Sequence, residues 1–113
     1  MHELGVLIEA INTVENFAKK NGVTKIQTLV LQIGELSSTI PRYIEACYPA
    51  AVDGTLLQET ELKIEILPGN AICKTCNKVF NLIENKSKCP HCQSRDFDIL
   101  CGQEFMIKEI IAC

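Results

Sequence analysis

CKTCNKVFNLIENKSKCPHC, residues 73–92, holds four of the seven cysteines of this 113-residue chain as two C-x-x-C pairs with twelve residues between them. In each pair both thiolates can face one ion while nearby backbone N–H groups point at the sulfurs. Two such knuckles complete a tetrahedron. The stretch VFNLIENKSK (79–88) supplies a hairpin that brings them together. Cys73, Cys76, Cys89 and Cys92 therefore read as a closed, structural site with no position left for substrate, against which a redox pair or unligated thiols are the competing uses. Zinc is the default ion, and iron in a rubredoxin-like site uses the same spacing. A segment of about 30 residues with only Val79, Phe80, Leu82, Ile83 and Phe97 to bury lacks a core of its own. The metal is then a folding requirement, worth on the order of 10–16 kcal/mol in comparable small modules.

Outward from this stretch the composition changes. Residues 1–69 carry five basic and nine acidic side chains, 70–100 carry five and three, and 101–113 carry one and two. Pro68-Gly69-Asn70 breaks a strand where the balance changes sign, so a module boundary is placed there. Upstream, Leu4, Leu7, Ile8, Ile11, Val14 and Ala18 recur at helical spacing over residues 3–20. Lys19 and Lys20 suit the negative end of that helix, and Asn21-Gly22 supplies its left-handed stop. TKIQTLVLQIGEL (24–36) reads as a mostly buried strand ending at Gly34, and ELKIEIL (61–67) as one with a wet face. Between them a second helix begins near Ile40, with Thr39 or a nearby serine as cap and Pro41 near the first position. Pro49 should kink or shorten it. GQEFMIKEII (102–111) reads as a third strand returning to the first module's sheet, which makes that domain discontinuous.

Hydrophobic residues make up 47% and charged residues 22% of the chain, too apolar for disorder. No run approaches the roughly 18 apolar residues that span a bilayer, and no secretory pattern is recognisable, so no membrane association and a cytoplasmic location are expected. Under reducing conditions seven cysteines point to metal rather than disulfides. Cys47 reads as a small buried hydrophobe, Cys101 adjoins a glycine turn, and Cys113 is expected to be exposed. None has a histidine beside it in sequence, and no acid–base or nucleophile constellation is recognisable. An enzyme is not expected. A zinc-ribbon module that binds nucleic acid or assists transcription is the alternative from another class. Lys74, Lys78, Lys86, Lys88 and Arg95 would carry it, but they are few for a phosphate footprint, and Phe80 and Phe97 are better placed in a core. No nucleic-acid partner is expected.

The chain begins Met1-His2-Glu3. Imidazole Nδ1 of His2 closes a six-membered chelate with its own backbone nitrogen, and the backbone nitrogen of Glu3 and the terminal amine of Met1 can enter the same plane. Near-planar nitrogen donors favour nickel(II) or copper(II) over zinc. Retention of Met1 is expected because His2 is large. The triplet sits at a helix start and is expected to be exposed. The Glu3 carboxylate suits the positive end of the dipole equally well, by about 0.3–1 kcal/mol.

MHE at the start, IGEL at 33–36, the paired C-x-x-C module and the G-x-E segment from Gly102, in that order, resemble the HypA/HybF family of hydrogenase-maturation nickel metallochaperones. The resemblance implies an α+β fold: a nickel-binding domain of two helices and a three-stranded sheet (1–69 and 101–113), with a four-cysteine zinc-ribbon domain (70–100) inserted before the last strand. It also implies Ni(II) cargo held by His2 with backbone nitrogens of His2 and Glu3, structural Zn(II) on Cys73, Cys76, Cys89 and Cys92, and delivery to [NiFe]-hydrogenase large subunits with a HypB-type GTPase. Gly5 stands where the family often has serine, and Asn77 where a glycine often follows the first knuckle. His91, the only other histidine, lies between two zinc thiolates and reads as an exposed knuckle residue or a further nickel ligand.

Overall fold

The computed structural model describes residues 2–112, and His2 by its backbone alone; the Met1 amine, the His2 ring and Cys113 lie outside the described residues. Helix α1 (His2–Lys20) and strand β1 (Ile26–Gly34) are followed by α2 (Pro41–Val52) and β2 (Glu61–Leu67). Three short strands come next, β3 (Asn70–Cys73), β4 (Val79–Asn81) and β5 (Phe97–Cys101), and β6 (Phe105–Ala112) closes the described chain. Two sheets result, ordered β2-β1-β6 and β4-β3-β5. The last strand does return to the first sheet.

The chain divides into two compact units. One takes in the chain up to Gln32, Thr39–Glu65 and the chain from Met106 on; the other comprises Ile33–Ser38 and Ile66–Phe105. In the first unit α1 buries Leu7, Ala10, Ile11, Val14 and Ala18, whereas Ile8 is 43% exposed. The difference is angular. Ile8 lies about 100° around the helix from Leu7, so Ala10 completes the stripe and Ile8 falls on its flank. After Lys20 the chain stops as its sequence requires: Gly22 takes φ +67° and the Val23 amide donates to the Ala18 carbonyl at 2.9 Å. Central β1 buries Leu29, Val30, Leu31 and Ile33, while edge strand β2 alternates.

Helix α2 begins where expected, with a different residue in the cap position. Ile40, extended at φ −97° and ψ 118°, occupies the cap position, one residue past Thr39, and its own apolar side chain makes no capping hydrogen bond; Pro41 opens the helix. Pro49 lies inside the helix, which continues to Val52. Pro49 cannot donate to the Glu45 carbonyl, but Glu45 is exposed and water can take that place. On the buried side, the Tyr48 hydroxyl donates to the Thr60 carbonyl at 2.9 Å, and the Thr60 hydroxyl donates to the Ile26 carbonyl at 2.7 Å. Burial pushes the Tyr48 phenol up to about 12, so it stays a neutral donor.

In the second unit β3 pairs antiparallel with β4 on one side and with β5 on the other, with a register shift between Asn70 and Ala71 opposite β5. These strands of three to five residues are too short for alternation to be read from sequence alone. Ala71, Cys73, Phe80, Leu82 and Cys89 form the core, with Leu36, Cys76 and Phe97 packed against it. Phe80 and Phe97 meet edge to face at 5.9 Å. Val79 and Ile83, expected inside, are more than half exposed. Val79 precedes Phe80 in β4 and must point the other way.

Candidate functional site

Each C-x-x-C pair folds as the same tight turn. In the first, the Asn77 amide donates to the Cys73 carbonyl at 2.8 Å and the Cys73 amide to the Lys78 carbonyl at 2.9 Å. In the second, Gln93 donates to Cys89 at 2.9 Å and Cys89 to Ser94 at 2.9 Å. Asn77 (φ +60°) and Gln93 (φ +68°) occupy equivalent left-handed positions. Asparagine tolerates that region better than glutamine does. Gln93→Gly is therefore expected to stabilise the metal-loaded protein by about 1 kcal/mol, and Asn77→Gly by less, read as the rise in melting temperature.

The turns bring the four sulfurs together: Cys73 and Cys92 Sγ lie 3.5 Å apart, Cys76 and Cys89 Sγ 3.6 Å, and all four fall within 4.8 Å of one another. A tetrahedral zinc with bonds of about 2.3 Å requires sulfur separations of about 3.8 Å. The donor set fits. Cys73 and Cys89 are buried, Cys76 is half-buried and Cys92 faces solvent.

The electrostatics of the sulfurs also call for a cation. The Cys76 amide, helped by that of Thr75, outweighs burial and brings the Cys73 thiol down to about 6. At Cys89 burial opposes ionisation, but the Cys92 and His91 amides pull the thiol below its ordinary value. The other two resist. The Lys78 amide favours a Cys76 thiolate, yet burial and the sulfurs of Cys89 and Cys73 push that thiol up. At Cys92 the Ser94 amide is likewise outweighed by burial and the three other sulfurs, and the thiol rises to about 12. A metal cation among the four sulfurs would offset this repulsion and favour the thiolate form of all four.

The remaining sequence candidates are dispersed. His91 is exposed and is not a member of the sulfur cluster. Cys47 is half-buried, not fully buried as expected, and Cys101, also half-buried, directs its thiol to the Pro68 carbonyl at 3.4 Å. Lys74, counted among the basic residues of the ribbon, pairs with Asp96 at 3.8 Å and Asp98 at 3.5 Å. Glu3 differs from expectation. Its backbone lies in the first turn of α1, but its side chain is only 8% exposed, so the start of the chain is not a uniformly open triplet. Glu35 and Glu104, marked in the sequence only by IGEL and G-x-E, accept backbone amides with their carboxylates.

Comparison with known proteins decides between the classes left by the sequence. Residues 1–112 match the family model described as "Hydrogenase/urease nickel incorporation, metallochaperone, hypA". The hydrogenase maturation factor HypA of Chlorobium limicola is 33% identical, the match covering 97% of this chain and 95% of that one. HybF of Salmonella typhimurium is 31% identical, with 97% of each chain covered. Among solved structures, that of the Ni metallochaperone HypA from Helicobacter pylori is similar with a TM-score of 0.68 at 26% identity, covering 97% of this chain and 96% of the other. A second HypA solution structure gives 0.72 at 27% identity, covering 100% and 97%. These relatives are maturation factors rather than enzymes. With an α+β fold, a four-cysteine metal site and a match along essentially its whole length, this chain belongs to the HypA/HybF family of hydrogenase-maturation nickel metallochaperones.

Proposed function

We propose that this chain binds Ni(II) through the His2 imidazole and the backbone nitrogens of His2 and Glu3, with the Met1 amine as a further donor, and delivers it to [NiFe]-hydrogenase large subunits with a HypB-type GTPase. Nickel handling falls to residues 1–69 and 101–113, and a structural zinc to residues 70–100. The observation that carries this reading is the family match over residues 1–112, described as nickel incorporation. A physical argument supports the atoms chosen. The first four amides of an α-helix have no carbonyl partner within it, and His2 and Glu3 open α1. Their nitrogens can turn to an ion without breaking the helix.

Zinc held by Cys73, Cys76, Cys89 and Cys92 supplies a cross-link between the two knuckles and leaves no open coordination position. Nickel at the chain terminus meets the opposite requirement, since few packed groups must move when a competing ligand enters. Binding weakens in acid because protons compete for His2, whose unperturbed pKa is about 6.5, and for the backbone nitrogens. Such a nitrogen set binds copper more tightly than nickel, so selectivity comes from metal availability and partners. The protein works in the cytoplasm, where thiols stay reduced.

The function is tested in cells that lack their own copy. Wild type restores nickel to the hydrogenase large subunit and His2→Ala does not, at equal protein level and equal zinc content. Full restoration by His2→Ala would count against the proposal.

A further inference from the structure

IGEL (33–36) and Gly102-Gln103-Glu104 are left unused by the four-cysteine site and by the nickel proposal. In the structure they meet, together with Pro68-Gly69, entirely within the second unit. Here β1 ends, β2 has ended and β6 begins, and no side chain separates their backbones. A Cβ on Gly34 would run into the Gly102 carbonyl. One on Gly102, which takes φ +104°, would lie 2.5 Å from Gly69 Cα, and one on Gly69 2.5 Å from Leu36 Cγ. Hydrogen bonds run around this contact: the Gly34 amide donates to the Glu104 carbonyl at 2.8 Å, Glu35 to Leu67 at 2.8 Å, and Leu36 to Gly102 at 2.7 Å.

Two carboxylates fasten it. Glu35 Oε1 accepts the Gly69 amide at 2.7 Å and Asn81 Nδ2 at 3.1 Å. Glu104 Oε1 accepts the Gly102 amide at 2.8 Å and the Gln103 amide at 2.7 Å. The Gly69 and Gly102 amides, respectively, contribute most to holding these carboxyls below their ordinary value. They are ionised, charge-assisted acceptors at neutral pH.

From Glu35 the contacts lead to the metal site. Asn81, at the end of β4, also donates from Nδ2 to Asn70 Oδ1 at 3.1 Å, and its Oδ1 accepts the Glu84 amide at 2.9 Å. Asn70 opens β3, the strand that ends at Cys73. Leu82 donates its amide to the Gly69 carbonyl at 2.8 Å and shares the core with Cys73 and Cys89, against which Leu36 packs. Glu35 therefore holds the hairpin that presents the first knuckle at the end of β4, through Asn81, and at the residue that leads into β3, Gly69.

We propose that Glu35 is a positioning residue for the four-cysteine site: through Gly69 and Asn81 it anchors the β3–β4 hairpin to the end of β1 and so sets how slowly the site gives up its metal. The Glu104 carboxylate fixes the turn at Gly102-Gln103, from which the Glu104 carbonyl accepts the Gly34 amide. The inference rests on the four cysteines being a metal site and is independent of where nickel binds.

The test is the rate of zinc transfer from the full zinc-loaded chain to a chromophoric chelator near neutral pH, for wild type, Glu35→Ala, Glu35→Gln and Tyr48→Phe. Tyr48→Phe deletes a hydrogen bond in the other unit and controls for general loss of stability. Glu35→Ala is expected to release zinc about tenfold faster, and Glu35→Gln to fall between it and wild type, because an amide oxygen still accepts from Gly69 but without charge. Tyr48→Phe should release at the wild-type rate. Cobalt(II) substituted into each form should give one tetrathiolate spectrum, marking the ligands as unchanged. If Glu35→Ala does not fold, Glu35→Gln carries the comparison. Glu35 variants that match wild type, or a Tyr48→Phe rate raised as much as theirs, overturn the proposal. A wild-type chain that holds no zinc overturns instead the metal reading on which it rests.

Discussion

Withdrawal of the metal by a strong chelator is expected to unfold the unit built from Ile33–Ser38 and Ile66–Phe105 and to leave α1 and α2 helical. The reason lies in the composition of its core. Of the five buried residues in the cluster around the knuckles, Cys73 and Cys89 belong to the metal site, so Ala71, Phe80 and Leu82 remain as its fully apolar members, with Leu36 and Phe97 packed partly buried against them. Structural zinc contributes on the order of 10–16 kcal/mol in small modules, as much as or more than the roughly 5–15 kcal/mol that holds a whole domain folded. No rearrangement of three side chains replaces that. Hydrogen exchange on the metal-free protein should find the amides of β3, β4 and β5 unprotected, with protection kept in α1 and the middle of β1. Cys73→Ser should move the protein toward the same state. Full protection of β3–β5 without metal would mean the ribbon has a sufficient core of its own.

Gly34→Ala is expected to be the most damaging substitution outside the cysteines. The added methyl would meet the Gly102 carbonyl, a backbone atom on a second segment. A rotamer change cannot relieve backbone against backbone, so the hydrogen bonds from Gly34 to Glu104 and from Leu36 to Gly102 must stretch together. Overpacking in a core commonly costs about 1–3 kcal/mol, and here the cost should be about 3 kcal/mol or more. Gly5→Ala is the natural contrast. Nothing lies within 4 Å of a Cβ at Gly5, and alanine favours α1 by about 0.5–1 kcal/mol. Thermal unfolding of the two variants should move in opposite directions. Equal melting temperatures would mean that the close approach at Gly34 is not required.

The features legible from the sequence are those whose physics is local. A C-x-x-C pair is one turn, and both pairs adopt it. The stop at Asn21-Gly22 is decided by one backbone angle, and the stripe of α1 by an angle per residue. Less legible were features decided by what lies across the fold. Leu36 lies two residues past the expected strand end at Gly34, yet it packs on the ribbon core, because Gly69 leaves room beneath it. Val79 and Ile83 are as apolar as Phe80, and only the pleat of β4 tells which side is inside. Pro49 breaks an isolated helix but not one whose freed carbonyl is on the solvent side. A carboxylate at a helix start belongs in water by its sequence, yet Glu3 is buried. Glu35 and Glu104 were visible as motif letters. The amides that Glu104 accepts are its near neighbours Gly102 and Gln103, but the partners of Glu35, Gly69 and Asn81, lie 34 and 46 residues away, beyond any local pattern.

The central claim is that exchangeable nickel sits at the N-terminus and the resident metal on the four cysteines. Nickel and zinc per chain, measured after equilibrium dialysis for wild type, His2→Ala and a form with residues added before Met1, test it most directly. Nickel should fall in both altered forms, by loss of the imidazole in one and by displacement of the terminal amine in the other, while zinc stays unchanged. Equal nickel in all three forms would contradict the N-terminal assignment.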